Sequence, residues 1–272
     1  MKKLVLILIV VLAFISCGDG AGSGPSIPEP AVGLYNKAPP ILPTDTPIPL
    51  PGTDPFIIEA SNYFNFSPDI YTLVIDNDIT TDGYEFEIKT GLDLTIIGVG
   101  GERTISLHPT TGYGWILCVE GKLTLGKNIT VKGHDHNEDC AVAISVSGTF
   151  VMEEGSKITG NVMDLVAYPS YYGGGVYNDG TFIMNGGEIS GNTGANGGGV
   201  YVNNGTFTMS GGRIQGSAAG DGFAANTATT GAALYVINSA AKYGNNSVIR
   251  IGSDDGTDDS NFSTDRTLTG KK

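Results

Sequence analysis

The sequence predicts an all-β chain wound into a solenoid of three-sided coils, and three observations predict it. Short triplets recur in register: Gly121-Lys122-Leu123, Gly148-Thr149-Phe150, Gly180-Thr181-Phe182 and Gly205-Thr206-Phe207, separated by 27, 32 and 25 residues. A base period near 25 with occasional insertions is the signature of stacked repeats. Within each repeat large apolar residues alternate with polar or β-branched ones, as in Leu123/Leu125, Phe150/Met152, Phe182/Met184 and Phe207/Met209, which is the period of a strand with one buried face. Between the strands lie Asn178-Asp179-Gly180, Asn185-Gly186-Gly187 and Gly191-Asn192, residue types that tolerate positive φ and turn the chain sharply. Glycine accounts for 41 of 272 residues, about twice the usual share of roughly 7%. Three corners in each coil account for that excess.

Taken from the N-terminus, the chain opens on MKKLVLILIVVLAFISC, with Lys2 and Lys3 ahead of an apolar run from Leu4 to Ile15. That run is too short for a comfortable membrane span and reads as an export signal over residues 1–16. Phe14-Ile15-Ser16-Cys17 resembles the lipobox of bacterial lipoproteins, although that family usually has Leu or Val where Phe14 stands. The resemblance implies that Cys17 is lipidated, becomes the mature N-terminus and ties the protein to a membrane. Gly18, rather than Asp, follows the cysteine, which on the enterobacterial sorting pattern favours the outer membrane.

Residues 17–55 hold ten of the 13 prolines. Proline at this density favours extended chain and blocks ladder hydrogen bonding, so the segment is expected to be a tether that buries little of itself. Residues 56–111 are assigned to an N-terminal cap, over 56–80, and degenerate coils, where FEIKTGLDLTIIG and RTISL still alternate. Residues 112–253 carry the clear coils, at 112–136, 140–163, 173–196, 197–220 and 231–253. The second strand of each coil offers Ile158, Ile189 and Ile214; the strand before the triplet offers Leu117, Ile144, Val176, Val200 and Leu234. Six to seven coils at the strand spacing of about 4.8 Å make a rod of roughly 35 Å. Residues 254–272 form a polar tail that would close the far end, since stacked coils need caps.

This pattern resembles the right-handed parallel β-helix, or pectin-lyase-like, superfamily. GGGVY together with TFxMxGG is also similar to the GGA(I/L/V)-type repeats of bacterial surface proteins such as autotransporter passenger domains. Those repeats imply a fold rather than a reaction. Enzymes of the superfamily that cleave polysaccharides would imply Asn-Thr-Asp, Asp-Asp, Gly-His-Gly and Arg-x-Lys motifs. No such set is present: Gly133-His134-Asp135 is a partial echo and Asp254-Asp255 stands alone.

A net charge of −13 without a basic cluster argues against nucleic acid as a partner. The stretch KGHDHNEDC gathers His134, Asp135, His136, Glu138, Asp139 and Cys140; a divalent metal would use His134 and His136 with a carboxylate such as Asp135, and a solvated corner loop has the same composition. No other cofactor is implied. Asp254-Asp255-Gly256-Thr257-Asp258-Asp259 does not have the spacing of an EF-hand loop and reads as a solvated turn. Cys118 and Cys140 are permitted a bridge in an exported protein. The triplet register nevertheless puts Cys118 in the column of Ser145 and Tyr177, whereas Cys140 lies four residues before Ile144. Tyr177, Tyr201 and Tyr235 fall on successive coils pointing outward, where they serve either as a stacking ladder or as a binding face; Tyr168, Tyr171 and Tyr172 decorate an inserted loop and are the better binding candidates. The expectation is a non-enzymatic, membrane-anchored envelope protein recognising a glycan or a host or surface protein. A polysaccharide-acting enzyme and a purely structural lipoprotein are its alternatives.

Overall fold

The computed structural model describes residues 29–42, 44–47, 69–169, 172–217 and 222–237, and the backbone of 240–249 and 266–269. The export signal, Cys17, Tyr171 and the Asp254–Asp259 run lie outside the described residues. Among those described there is no helix.

The strands stack into three parallel faces. The first holds β2 (Ile70–Ile75), β5 (Asp93–Gly98), β8 (Lys122–Leu125), β12 (Thr149–Met152), β16 (Thr181–Met184), the first part of β19 (Thr206–Ile214) and β21 (Ala240–Ile249). The second holds β3 (Ile79–Thr81), β6 (Arg103–Leu107), β9 (Ile129–Lys132), β13 (Ser156–Thr159) and β17 (Glu188–Ser190), and β19 runs on into it, joining the two faces in one sheet. The third face is a separate sheet of six strands: β4 (Phe86–Ile88), β7 (Leu117–Val119), β11 (Val142–Ile144), β15 (Val176–Asn178), β18 (Val200–Val202) and β20 (Leu234–Val236). Six strands on this face bound about five complete turns, and the other faces run further at the C-terminal end. The expected six to seven coils include these incomplete ones. A parallel pair of β10 (Asp135–Asn137) and β14 (Val162–Met163) forms a spur at the corner between the second and third faces.

The core is a set of ladders running along the axis. Tyr71, Leu94, Leu123, Phe150, Phe182 and Phe207 occupy one register position of the first face, and Leu73, Ile96, Leu125, Met152, Met184 and Met209 another. All twelve are buried. Phe182 sits between Phe150 and Phe207, with ring centroids 5.2 and 4.9 Å away. Each ring covers the next, which is how a coil with few inward residues keeps water out. The second face supplies Ile105, Val131, Ile158, Ile189 and Ile214 in register. At the corner between first and second faces each of the four coils from β8 to β19 has a left-handed residue, with φ of 61° at Asn128, 82° at Gly155, 85° at Gly187 and 89° at Gly212. The fold needs that conformation, and glycine or asparagine supplies it without strain.

A second ladder is polar. Asn137, Asn161, Asn192 and Asn226 are fully buried where the second face turns toward the third. Asn137 Nδ2 donates to Asn161 Oδ1 at 2.8 Å, the Asn161 amide to Asn192 Oδ1 at 3.1 Å and the Asn192 amide to Asn226 Oδ1 at 2.9 Å. Their side-chain amides also donate to the carbonyls of Gly114, Asp139, Gly174, Ile158, Ile189 and Gln215. Backbone groups that leave the sheet at this corner are thereby satisfied inside the protein, as burial requires.

Three details differ from the expectation. Val142, not Ile144, shares the column of Leu117, Val176, Val200 and Leu234, and Ala143, not Ser145, lies between Cys118 and Tyr177. The corner after Ile144 has two more residues than the corners after Val119 and Asn178, and Val146 is carried outward on it. A slip of two leaves every side chain on the same face, so alternation alone cannot detect it. The proline-rich segment is also not wholly a tether. Within it β1 (Gly33–Tyr35) pairs antiparallel with β2, Leu34 and Tyr35 are buried, and Tyr35, Ile41, Val74 and Val99 make a small core on the outside of the first coils. Thr72 Oγ1 donates to the Lys37 carbonyl at 2.7 Å and the Gly100 amide to Glu29 Oε2 at 2.7 Å, fixing this strap at two further points. Finally, β2 and most of β3 lie within the expected cap at 56–80 but are rungs of the solenoid; β1 covers the β2 edge of the first rung. At the far end β22 (Arg266–Thr269) pairs antiparallel with β21.

Candidate functional site

Within the described coils, the connections from the second face to the third vary most in length and sequence, and four successive ones converge. Tyr84, on the turn before β4, has φ of 54° and its amide donates to the Trp115 carbonyl of the next coil at 3.0 Å. Its ring lies directly over Gly114, where a Cβ would come within 2.1 Å of the ring, so only glycine fits beneath it. Trp115 meets the same ring edge-on at 5.2 Å and 88°. From the next loop, Asn137 Oδ1 accepts from the amides of Gly114 and Glu138, pinning the following two residues. Glu138 and Asp139 then reach Tyr84: its hydroxyl donates to Glu138 Oε1 at 3.3 Å and lies 3.5 Å from Asp139 Oδ2. From the fourth loop the Tyr168 hydroxyl donates to Glu138 Oε2 at 3.0 Å.

The result is a carboxylate held from two sides by phenol hydroxyls, a second carboxylate beside it, and aromatic rings around both. Tyr84 is 48% exposed and Tyr113, on the same loop as Trp115, is 50% exposed. No ion pair among the described residues involves Glu138 or Asp139. Burial pushes the Asp139 carboxyl above its usual range, against the amide bond it receives from Cys140. Burial first, then the neighbouring Asp139 and Glu138, pushes the Tyr84 phenol up. The corner therefore presents acceptors and ring edges to an incoming donor.

The strand tyrosines behave differently. Tyr177, Tyr201 and Tyr235 are register partners on β15, β18 and β20, and their rings stack at 5.5 and 5.6 Å, within 17° of parallel. Tyr172 stacks on Tyr201 as well, at 4.6 Å and 13°. Tyr201 is consequently only 2% exposed, and its phenol is pushed up to about 12, first by burial and then by the surrounding tyrosines. Both faces of the Tyr201 ring are taken. The stacking ladder is present, and Tyr172, which the sequence grouped with the loop tyrosines, has joined it while Tyr168 belongs to the acidic corner.

Both ring nitrogens of His134 are turned to backbone carbonyls, Nε2 to Gly112 at 2.5 Å and Nδ1 to Asp135. Asp135 and His136 are exposed, His136 with φ of 65°. Among the described residues no group of three or more His, Cys, Asp or Glu side chains is placed to hold a metal ion. Cys118 and Cys140 are free thiols, the first half-buried and the second buried.

Tyr84, Tyr113 and Trp115 went unremarked in the sequence. The signal was available: Tyr84 and Trp115 lie 31 residues apart, each just before a third-face strand, and Trp115 is the chain's one tryptophan. The chain matches no protein-family model, no curated protein and no solved structure.

Proposed function

We propose that this protein is an exported lipoprotein, held at the bacterial envelope through Cys17, whose β-solenoid displays the aromatic and acidic corner to bind a glycan or a surface protein without chemical turnover. The observation that carries the reading is the convergence of Tyr84, Trp115, Glu138, Asp139 and Tyr168 from four successive loops onto one patch, where Tyr84 is exposed and the other four are half-buried. Rings with polar tips beside carboxylates that make no ion pair among the described residues are groups that recognition surfaces use, and a rigid stack of coils holds them at a low ordering cost on binding. The lipobox-like segment supplies the location, with the outer membrane favoured; acidity makes nucleic acid a poor partner.

The test is binding of the soluble chain, cut after the lipidation site, to arrays of glycans and envelope proteins. Specific binding lost in Tyr84→Ala and Glu138→Ala, with the fold retained by circular dichroism, is the expected result. Binding that ignores both substitutions would sink the assignment of the corner.

One observation favours a hydrolytic reading as well. Glu138 and Asp139 approach one hydroxyl, and Asp139 has the raised affinity for a proton that a general acid needs. Product release from polysaccharides, abolished by Asp139→Asn, would replace binding by catalysis.

A further inference from the structure

On a different edge of the solenoid, at the corner between the first and second faces, a trough of about 540 Å³ crosses the coils of β12–β13, β16–β17 and β19. Its floor is bare backbone, Gly155, Gly186–Gly187 and Gly211–Gly212. One wall is a row of register partners, Lys157, Glu188 and Arg213, whose charges alternate from coil to coil. Glu154 and Asn185 line it from the first-face side, and Phe223, reached from the loop after β19, closes one end with the Arg213 guanidinium 4.4 Å from its ring centroid.

We propose that this trough is a second binding site and that it takes a neutral, polyhydroxylated ligand, a short stretch of uncharged oligosaccharide. Its four charged side chains, Glu154, Lys157, Glu188 and Arg213, cancel, in a chain whose net charge is −13. A polymer of either sign would meet as much repulsion as attraction along the row. The walls carry closely spaced donors, on Lys157, Arg213 and Asn185, beside acceptors, on Glu154 and Glu188; part of this capacity is used within the coils, where Lys157 pairs with Glu102 Oε2 at 2.9 Å, Asn185 Nδ2 donates to Glu153 Oε1 at 2.9 Å and Glu188 accepts from Ser190. Groups that both donate and accept at short intervals, namely hydroxyls, are what such a lining can satisfy. The lining contains one aromatic ring and no apolar pocket, which suits the single apolar face of a sugar ring better than the side chains of a peptide. A row of alternating charges also steadies neighbouring strands by itself. That role does not account for Phe223, which a long connection brings to the end of the row.

The experiment is calorimetric titration of the full mature chain with uncharged hexasaccharides of glucose, xylose and N-acetylglucosamine, and with an oligogalacturonate as the charged comparison. The expected result is saturable binding of at least one neutral sugar, little changed between low and high salt. Phe223→Ala is expected to weaken it about tenfold, and Glu188→Gln several-fold, whereas Tyr84→Ala at the aromatic corner leaves it unchanged. Thermal unfolding of each variant checks that the coils remain intact. Absence of binding to every neutral sugar overturns the proposal, as does binding that survives Phe223→Ala and Glu188→Gln. Binding lost only in Tyr84→Ala overturns it too and assigns the sugar to the corner already described.

Discussion

The third face of the solenoid is built in two ways along its length. In its downstream half the corners before β15 and β18 are runs of three glycines, Gly173–Gly175 and Gly197–Gly199, and the corner before β20 reads Gly231-Ala232-Ala233; a Cβ on Gly174 or Gly175 would come within 2.5 or 2.6 Å of a carbonyl oxygen in the next coil. Amide-to-carbonyl bonds run straight through this corner, from Gly174 to Gly197 and from Gly175 to Gly198, each at 3.0 Å. Outside the strands the same half carries the stack of Tyr177, Tyr201 and Tyr235. In the upstream half the corners are Tyr113–Trp115 and Glu138–Cys140, and the outward column reads Glu87, Cys118, Ala143. The inner ladders are alike in both halves. Where the chain repeats itself it closes its own surface, and where it departs from the repeat it displays side chains that the fold does not consume.

That contrast can be broken most forcefully in the shared core. Phe182→Ala removes the middle ring of the phenylalanine ladder and should cost about 3–5 kcal/mol, read as a lowered midpoint in urea unfolding. Asn161→Ala should cost about 3 kcal/mol by the same measurement, because the carbonyls of Asp139 and Gly174 and the amide of Asn137 all lose a buried partner at the junction of the two halves. Gly175→Val tests the downstream corner alone, and pressing a side chain onto the next coil should cost about 2 kcal/mol. Tyr84→Ala, in the upstream corner, should change stability by less than about 0.5 kcal/mol while abolishing corner binding. Comparable losses in these last two variants would erase the distinction between closing and displaying halves.

A subtler effect concerns Asp139. Its folded-state pKa is raised, so the native protein holds that proton more tightly than the unfolded chain does. Stability should therefore fall as pH rises from the ordinary aspartate range through the raised value, and Asp139→Asn should flatten that part of the pH–stability curve. An unchanged slope would mean that the carboxyl is not held in the desolvated corner.

The two halves were not equally legible in the sequence. The repeated triplets and their alternation identify Phe150, Phe182 and Phe207 as one ladder because nothing between them disturbs the period. The outward column was misread at Ser145, since an insertion of two preserves the alternation that would have exposed it. Asn161 and Asn192 resemble ordinary corner residues in the linear sequence, and their burial depends on rungs more than 20 residues away. The aromatic corner was partly visible in Tyr168, Glu138 and Asp139. Tyr84 and Trp115 join them only through register across coils, which loops of unequal length conceal.

The antiparallel strand at the start of the solenoid determines how the molecule carries load. A pull on the chain upstream of Glu29 would meet the Glu29–Gly100 bond first, then the bonds of β1 to β2 and the Tyr35, Ile41, Val74 and Val99 patch, before any bond between coils. The strap acts as a mechanical fuse: it can peel away while the stack behind it keeps its shape and its displayed surfaces.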